Sequence, residues 1–421
     1  MRAFVITGPG RAEVQEAEPP APGTGEVVVE VERAGVCGTD MEFFTGAMAY
    51  LRTGEARYPM RIGHEWAGVV REVGDGVDRA WLGRRVTGDT MLGCGRCARC
   101  TAGRQHLCAD RHEIGIRNGW PGALAERLPV PVRALQPLPG PVDPVLGALV
   151  EPGGNALRAV RAAALQPGER LLVIGPGTIG LLAAMIAAAQ GAEVHLLGLT
   201  ERSLGFARSL GFTHLWTMPP HHPGPGTPES SAATTPEPGT TGPNGPIAGG
   251  PAWPHATVPQ RSHVGGLERS PAGPPERTGA GAVEEAGAGA PARAGADVPW
   301  FDTAHRPRFD AVIDASTGAG SPALAFDVVE PGRRVVFIGL SAEPSLADTR
   351  RLVLKDVTAV GVLSASGGLA GAVDLYASGA VDPRPLVAAT VPLEEAAAVL
   401  AGKRRPEWGD APKILIDPRL T

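Results

Sequence analysis

Two hydrophobic rhythms divide the chain. Up to about residue 150 the apolar positions come in short β-branched runs bounded by Gly, Asp and Pro, as in VVVEVERAGV (27–36) and WAGVVREVG (66–74). This pattern predicts a β-rich region with many turns. From about residue 155 the runs become continuous and alternate with helix-like segments. RLLVIG (170–175) predicts a buried strand, GPGTIG (175–180) a turn, LLAAMIAAAQGA (181–192) a helix and EVHLLGL (193–199) a second strand. Continuous apolar strands separated by helices predict a parallel sheet covered on both faces, hence an α/β fold class.

The alternation breaks between Pro219 and Trp300. That segment carries 17 prolines and 15 glycines in 82 residues, with no lysine, no cysteine and few large apolar side chains. Such a composition buries too little surface to offset the entropy of ordering it, so a disordered insertion is expected. His221 and His222 within it read as solvated loop residues. Order is expected to resume at RFDAVIDAS (308–316), a strand, followed by a helix over ALAFDVV (323–329) and a strand over RRVVFIGL (333–340). TAVGVLSASG (358–367) is expected to close the sheet. A helix over LEEAAAVLAG (393–402) and a terminal strand over APKILIDP (411–418) complete the pattern.

The chain of 421 residues is long enough for two domains, and its net charge of −5 leaves no electrostatic footprint for nucleic acid or an anionic membrane. MRAFVITGPG lacks a basic stretch followed by an apolar core, so no signal peptide is expected, and LLAAMIAAAQ is too short to span a bilayer. Five cysteines, four of them clustered, argue for reduced thiols and a cytoplasmic setting over a disulfide framework.

The cluster is GCGRCARCTAGRQHLC, in which Cys94, Cys97, Cys100 and Cys108 have the spacing C-x2-C-x2-C-x7-C. One short lobe can fold four such thiolates around a tetrahedral zinc with no position left open, which makes the site structural. The fifth cysteine, Cys37, stands apart and is the expected place of reaction.

GPGTIG follows a strand and opens a helix, the placement that gives a Gly-rich turn its meaning. Gly175 permits the tight turn, Gly177 lets the backbone N–H groups near Thr178 and Ile179 approach a pyrophosphate, and Gly180 allows close helix–strand packing. The helix N-terminus adds partial positive charge. A nicotinamide dinucleotide is the expected ligand. At the end of the second strand, LLGLTERS places Gly198 where a ribose-binding acid is usual. Without that carboxylate a 2′-phosphate meets no repulsion, and Thr200 and Arg202 can contact it, which favours NADP over NAD. Glu201 is the competing group, because its carboxylate can still reach the ribose.

Cys37 in GVCGTD, His64 and Glu65 in GHEWAG, and Glu151 in EPGGNAL supply thiolate, imidazole and carboxylate, a set suited to a catalytic zinc with one open position. Singly, each has a bland explanation: a small buried hydrophobe, a satisfied turn residue, a helix N-terminal acid. In combination with the four-cysteine lobe and the dinucleotide turn, GVCGTD, GHEWAG and the closing PKILIDP resemble the zinc-dependent medium-chain alcohol/polyol dehydrogenases, in the family's order and over essentially everything outside 219–300.

The resemblance implies a GroES-like catalytic domain over 1–151 with a zinc lobe at about 93–109, a Rossmann domain over 152–365 interrupted by the insertion, and a return to the catalytic domain over 366–421. It implies catalytic-zinc ligands at Cys37, His64 and Glu151, with Glu65 as ligand or exchange partner, and Thr39 as the hydroxyl that relays the substrate proton. It implies two zinc ions per chain and a homodimer or homotetramer. Glu42 stands where many members carry a proton-passing histidine; together with EIGI, EPGGNA and the missing acid at Gly198, it resembles the glucose dehydrogenase branch. The implied reaction is hydride transfer between a secondary alcohol, polyol or sugar favoured, and NAD(P), with a simple alcohol or threonine as other substrates. Two rivals remain: a zinc-free quinone or enoyl reductase of the same superfamily, which would lack the Cys/His/Glu set, and a non-catalytic nucleotide-sensing scaffold, which would have lost a ligand or Thr39.

Overall fold

The computed structural model describes residues 1–218, 301, 307–341, 344, 345 and 347–420. All of them fall within one compact unit formed by 1–220 and 297–421. The Pro/Gly-rich run 219–300, with His221 and His222, lies outside the described residues.

The β-branched runs of the first 150 residues form two sheets. A three-stranded sheet has the order Arg11–Glu16, Arg2–Gly8, Met60–Arg61. A seven-stranded sheet runs from Leu135–Pro137 through Arg85–Gly88, Glu65–Val73, Glu26–Gly35 and Lys413–Ile416 to Val387–Val391, with Arg127–Pro131 also paired to Glu26–Gly35. Register irregularities at Val28/Val29 and Val31/Arg33 bend the central pair. Inward-facing Val27, Val29, Val31, Phe43, Trp66 and Ile416 are fully buried in one core. The terminal strand joins antiparallel to the central one, with Leu415 opposite Gly35. Residues from both ends of the sequence therefore build one sheet and share one core.

The second half forms a parallel six-stranded sheet in the order His214–Thr217, Glu193–Gly198, Arg170–Ile174, Phe309–Asp314, Val329–Phe337, Thr358–Gly361. This is the Rossmann order, and the direction of winding reverses between Arg170–Ile174 and Phe309–Asp314, where such sheets open a crevice at their carboxyl ends. The Ala/Leu-rich helix Thr178–Ala189 and the helix Val150–Ala163 contribute to the core on one face. The helix Leu369–Ala377 packs into that same core through Ala372, Val373 and Tyr376.

Three segments differ from the hydrophobic pattern. TAVGVLSASG yields only the four-residue edge strand Thr358–Gly361, followed by one further backbone bond from Val362 N–H to Phe337 O at 2.9 Å. LEEAAAVLAG splits into a 3-10 turn, Leu393–Glu395, and a helix, Ala396–Leu400. Two helices, Gly38–Thr45 and Ala49–Thr53, interrupt the β-rich half, each ending at a left-handed glycine, Gly46 and Gly54. Among the described residues no helix is long and apolar enough to cross a membrane.

Candidate active site and metal centres

The lobe carrying the cysteine cluster is a short helix, Ala98–Thr101, and a 3-10 turn, Gln105–Leu107, between the paired strands Met91–Leu92 and His112–Glu113. It brings ligand atoms of Cys94, Cys97, Cys100 and Cys108 within 4.8 Å of one another. The Sγ atoms of Cys94 and Cys100 are 4.0 Å apart, and those of Cys97 and Cys108 are 3.8 Å apart. A zinc–sulfur bond of about 2.3 Å puts the edges of a tetrahedron near 3.8 Å, so the four thiols fit the ion. Backbone N–H groups of Arg96 and Cys97 bring Cys94 down to about 6, while burial raises Cys100.

At the head of the helix Gly38–Thr45, Cys37 is the N-cap residue, and the helix is set by Asp40. Asp40 is fully buried; its Oδ2 accepts the Cys37 N–H at 2.9 Å and its Oδ1 accepts the Gly63 N–H at 3.2 Å. The same carboxylate lies 3.5 Å from Nδ1 of His64. Burial works against charge on His64, but Asp40 and Cys37 outweigh it and hold the imidazole's pKa well above its ordinary value. His64 Nδ1 is buried without a hydrogen-bond partner.

Cys37, His64 and Glu65 offer ligand atoms within 4.8 Å of one another. This trio of thiolate, imidazole and carboxylate has the donor chemistry of a zinc site, with Asp40 behind the ring at Nδ1. Both oxygens of Glu65 are also engaged by Nζ of Lys413, at 2.9 and 2.7 Å, and the same ammonium donates to Val36 O at 3.0 Å. Gly35 makes this pair possible, because a Cβ there would lie 2.0 Å from Glu65 Oε2.

Glu151, in the first turn of the helix Val150–Ala163, is outside the close trio but near enough to interact with it. Burial raises its carboxyl to about 7, helped by the charge of Glu65 and opposed by His64 and by the Asn155 amide, which donates to Oε1 at 2.9 Å. Thr39 is half-buried in the first turn after Cys37. Burial also raises the carboxyl of Glu42, farther along that helix.

The Gly-rich turn lies between the strand Arg170–Ile174 and the helix Thr178–Ala189. Gly175 has φ of +90°, and a Cβ on Gly180 would fall 2.0 Å from the Gly175 carbonyl oxygen, so both positions exclude a side chain. A Cβ on Gly177 would meet nothing within 4 Å and would fill the space in front of the helix N-terminus. A cleft of about 310 Å³ joins this turn to the metal site: Gly177, Thr178 and Ile179 line it together with Cys37, Glu65 and Lys413.

Gly198 ends its strand against the turn; a Cβ there would come within 2.9 Å of Pro176 and Leu204. Thr200 caps the helix Glu201–Ser209, accepting the Ser203 N–H at 3.2 Å. Arg202 pairs with Asp410 at 2.7 Å and donates to Gly409 O at 2.9 Å. Both partners are about half exposed. Glu201 is exposed in the first turn.

A third group, Glu193, His195 and His214, also has ligand atoms within 4.8 Å of one another. Here the ring is already satisfied. An indole N–H only donates, so His195 Nδ1 accepts from Trp216 at 3.1 Å, and its Nε2 carries the proton toward Glu193 Oε1 at 2.8 Å. No lone pair of His195 remains for an ion.

Two residues in this site were not singled out in the sequence, Asp40 and Lys413. Both stand inside quoted segments, GVCGTD and PKILIDP. A buried acid three residues after the cysteine was a signal for Asp40, whereas the partner of Lys413 lies 348 residues away in the chain.

Residues 23–140 match the alcohol dehydrogenase GroES-like domain. Over 213 residues, half of the chain, it is 38% identical to an L-threonine 3-dehydrogenase of Saccharopolyspora erythraea, covering 61% of that protein. Over 198 residues, 47% of the chain, it is 38% identical to a 2-dehydro-3-deoxy-L-galactonate 5-dehydrogenase of Pseudoalteromonas atlantica, covering 56% of it. The chain thus spans about three-fifths of the length of these curated relatives. A zinc-binding dehydrogenase of Sinorhizobium meliloti, solved bound to NADP, superimposes with a TM-score of 0.71 at 24% identity over 99% of both chains. In fold the chain is like this zinc-binding dehydrogenase, and residues 23–140 carry the alcohol dehydrogenase GroES-like domain.

Proposed function

We propose that this chain is a zinc-dependent oxidoreductase that transfers hydride between a secondary alcohol and a nicotinamide dinucleotide. The observation that carries the reading is the single cleft in which Cys37 and Glu65 face the Gly177–Ile179 turn. When bound, zinc supplies a Lewis acid that acidifies the substrate hydroxyl, and the nicotinamide supplies a hydride acceptor.

The chain's own residues do the rest. Cys37, His64 and a carboxylate hold the ion; Asp40 orients His64; Lys413 neutralises Glu65 and keeps its side chain aimed into the cleft. Glu65 and Glu151 share the carboxylate role: Lys413 holds both oxygens of Glu65, whereas burial raises the Glu151 carboxyl to about 7. The Thr39 hydroxyl takes the substrate proton, and Glu42, with its raised pKa, stands on the same helix to pass it to solvent. The N-terminal N–H groups of the helix Thr178–Ala189 hold the pyrophosphate.

Four finer readings accompany this one. The cysteine lobe binds a second, structural zinc, giving two ions per chain. NADP is favoured over NAD, because no acid stands at Gly198 and the exposed pair of Arg202 with Asp410, worth only about 0–1 kcal/mol, yields readily to a 2′-phosphate. A polyol or sugar is the favoured substrate, with threonine the other. A homodimer or homotetramer in the cytoplasm is supported by reduced thiols and by the bare edge strand Thr358–Gly361, flanked by exposed Leu340, Val353, Leu354 and Leu363.

A panel of polyols, aldoses, threonine and simple alcohols, run with NAD and NADP while following reduced cofactor, tests the reaction. Turnover of a secondary alcohol that disappears on chelation is expected. Metal analysis giving one zinc per chain, with no turnover of any alcohol, would instead favour the nucleotide-sensing scaffold.

A further inference from the structure

The three-stranded sheet and the loop 116–121 enclose a second cavity, of about 340 Å³. It is lined by Val5 and Gln15 from the sheet, Arg57 and Arg61 from the segment ahead of His64, and Ile116 and Trp120 from the loop. It shares no residue with the cleft of Cys37. The pairing of Arg61 with Val5 across adjacent strands puts their side chains on one face of the sheet. Trp120 is fixed as an apolar wall by its Nε1, which donates to Pro129 O at 3.0 Å.

Two guanidinium groups face this space, and no Asp or Glu lines it. Among the described residues, neither Arg57 nor Arg61 has an ion-pair or side-chain hydrogen-bond partner. Neighbouring arginines do have theirs: Arg111 pairs with Glu113, and Arg117 with Glu55. Glu13, in register with Val5 on the far strand, accepts from the Gln15 amide at 2.7 Å and lies outside the cavity lining. Arg61 is half-buried, and the loss of hydration lowers its pKa with no carboxylate to counter it. A desolvated guanidinium without a partner is an ion pair with one half missing, and its planar fork of donors matches a carboxylate or a phosphate.

We propose that Arg57 and Arg61 form a binding site for a small anionic ligand, a carboxylate or phosphate group on an apolar or aromatic body, separate from the cleft of Cys37. The oxyanion meets the two guanidinium groups, and the body packs on Val5, Ile116 and Trp120. The cavity volume lies in the range of small-ligand sites, about 300–1,000 Å³.

Calorimetric titration of the full chain with phenyl phosphate and with benzoate, at constant ionic strength in chloride, tests this and tells the two oxyanions apart. Saturable binding of one of them at one site per chain is expected. Arg61→Met should weaken it by about tenfold, and Arg57→Ala by about threefold, as loss of charge-assisted hydrogen bonds requires. Arg61→Lys keeps the charge but loses the fork, and serves if the methionine variant does not fold; it too should bind more weakly. The proposal is overturned if neither anion saturates, if Arg57→Ala and Arg61→Lys bind as the parent does, or if NADP displaces the anion.

Discussion

Lys413 and Glu65 are both almost completely buried, 2% and 1% exposed, and each is the other's charge partner. Removing one half of such a pair strands the other. In metal-free protein, Lys413→Met is expected to cost about 3–5 kcal/mol in urea unfolding, and the double change Lys413→Met with Glu65→Gln to recover most of it. Equal loss in both variants would show that packing, not charge, holds the position. Glu151 gives a pH signature of its own. Its carboxyl is raised from 4.5 to about 7 in the fold, so the native state binds a proton that the unfolded chain has already released. Its stabilisation is complete below pH 4.5 and is lost as pH rises to about 7, a change on the order of 3 kcal/mol. Melting of metal-free protein across that interval should therefore fall with pH, and Glu151→Gln should flatten the slope. Cys37→Ala is expected to abolish turnover, with chain-bound zinc falling from two ions to one and the fold retained by circular dichroism. Full activity in that variant would remove the thiolate from the reaction.

Among the elements, the cysteine lobe has almost no core of its own. Its helix Ala98–Thr101 has no buried residue, and one turn, Gln105–Leu107, buries only His106. A few polar ties reach it, such as Gln105 Nε2 to Asp89 Oδ2 at 2.7 Å, with Asp89 Oδ1 held in turn by Ser366 Oγ at 2.9 Å, and on the proposed reading an ion supplies the rest of its order. Cys97→Ala should lower the Tm by about 10 °C while leaving residual turnover, and a melt identical to the parent's would refute a structural role. This lobe was legible in the sequence because its ligands are close along the chain. The strand Arg170–Ile174, the Gly-rich turn and the helix Thr178–Ala189 were legible for the same reason: local periodicity and local glycines carry the whole signal. The helix Gly38–Thr45 was not. It is set by Asp40, whose carboxylate reaches Gly63 as well as Cys37, and nothing in the hydrophobic pattern of GTDMEFFT announces that contact. The run TAVGVLSASG, expected to close the sheet, does so through its first four residues, Thr358–Gly361.

At the scale of the molecule, the strand Thr358–Gly361 ends the parallel sheet and, among the described residues, has exposed apolar neighbours. Val353 and Leu354 are 80% and 84% exposed beside it. If a second copy covers this edge, Leu354→Glu is expected to convert the oligomer to monomer in light scattering, with secondary structure unchanged. An unchanged mass would move the interface elsewhere. What no local pattern could disclose was the partnership of distant segments, such as Leu415 with Gly35 and Lys413 with Glu65. That partnership also imposes a timetable on biosynthesis. The strand Glu26–Gly35 emerges from the ribosome long before Lys413–Ile416 exists, so its carboxyl end waits with open backbone groups and Glu65 without its ammonium. A nascent chain is thus sticky and inert together, and chaperone dependence and the onset of activity should both hinge on translation reaching the same four residues.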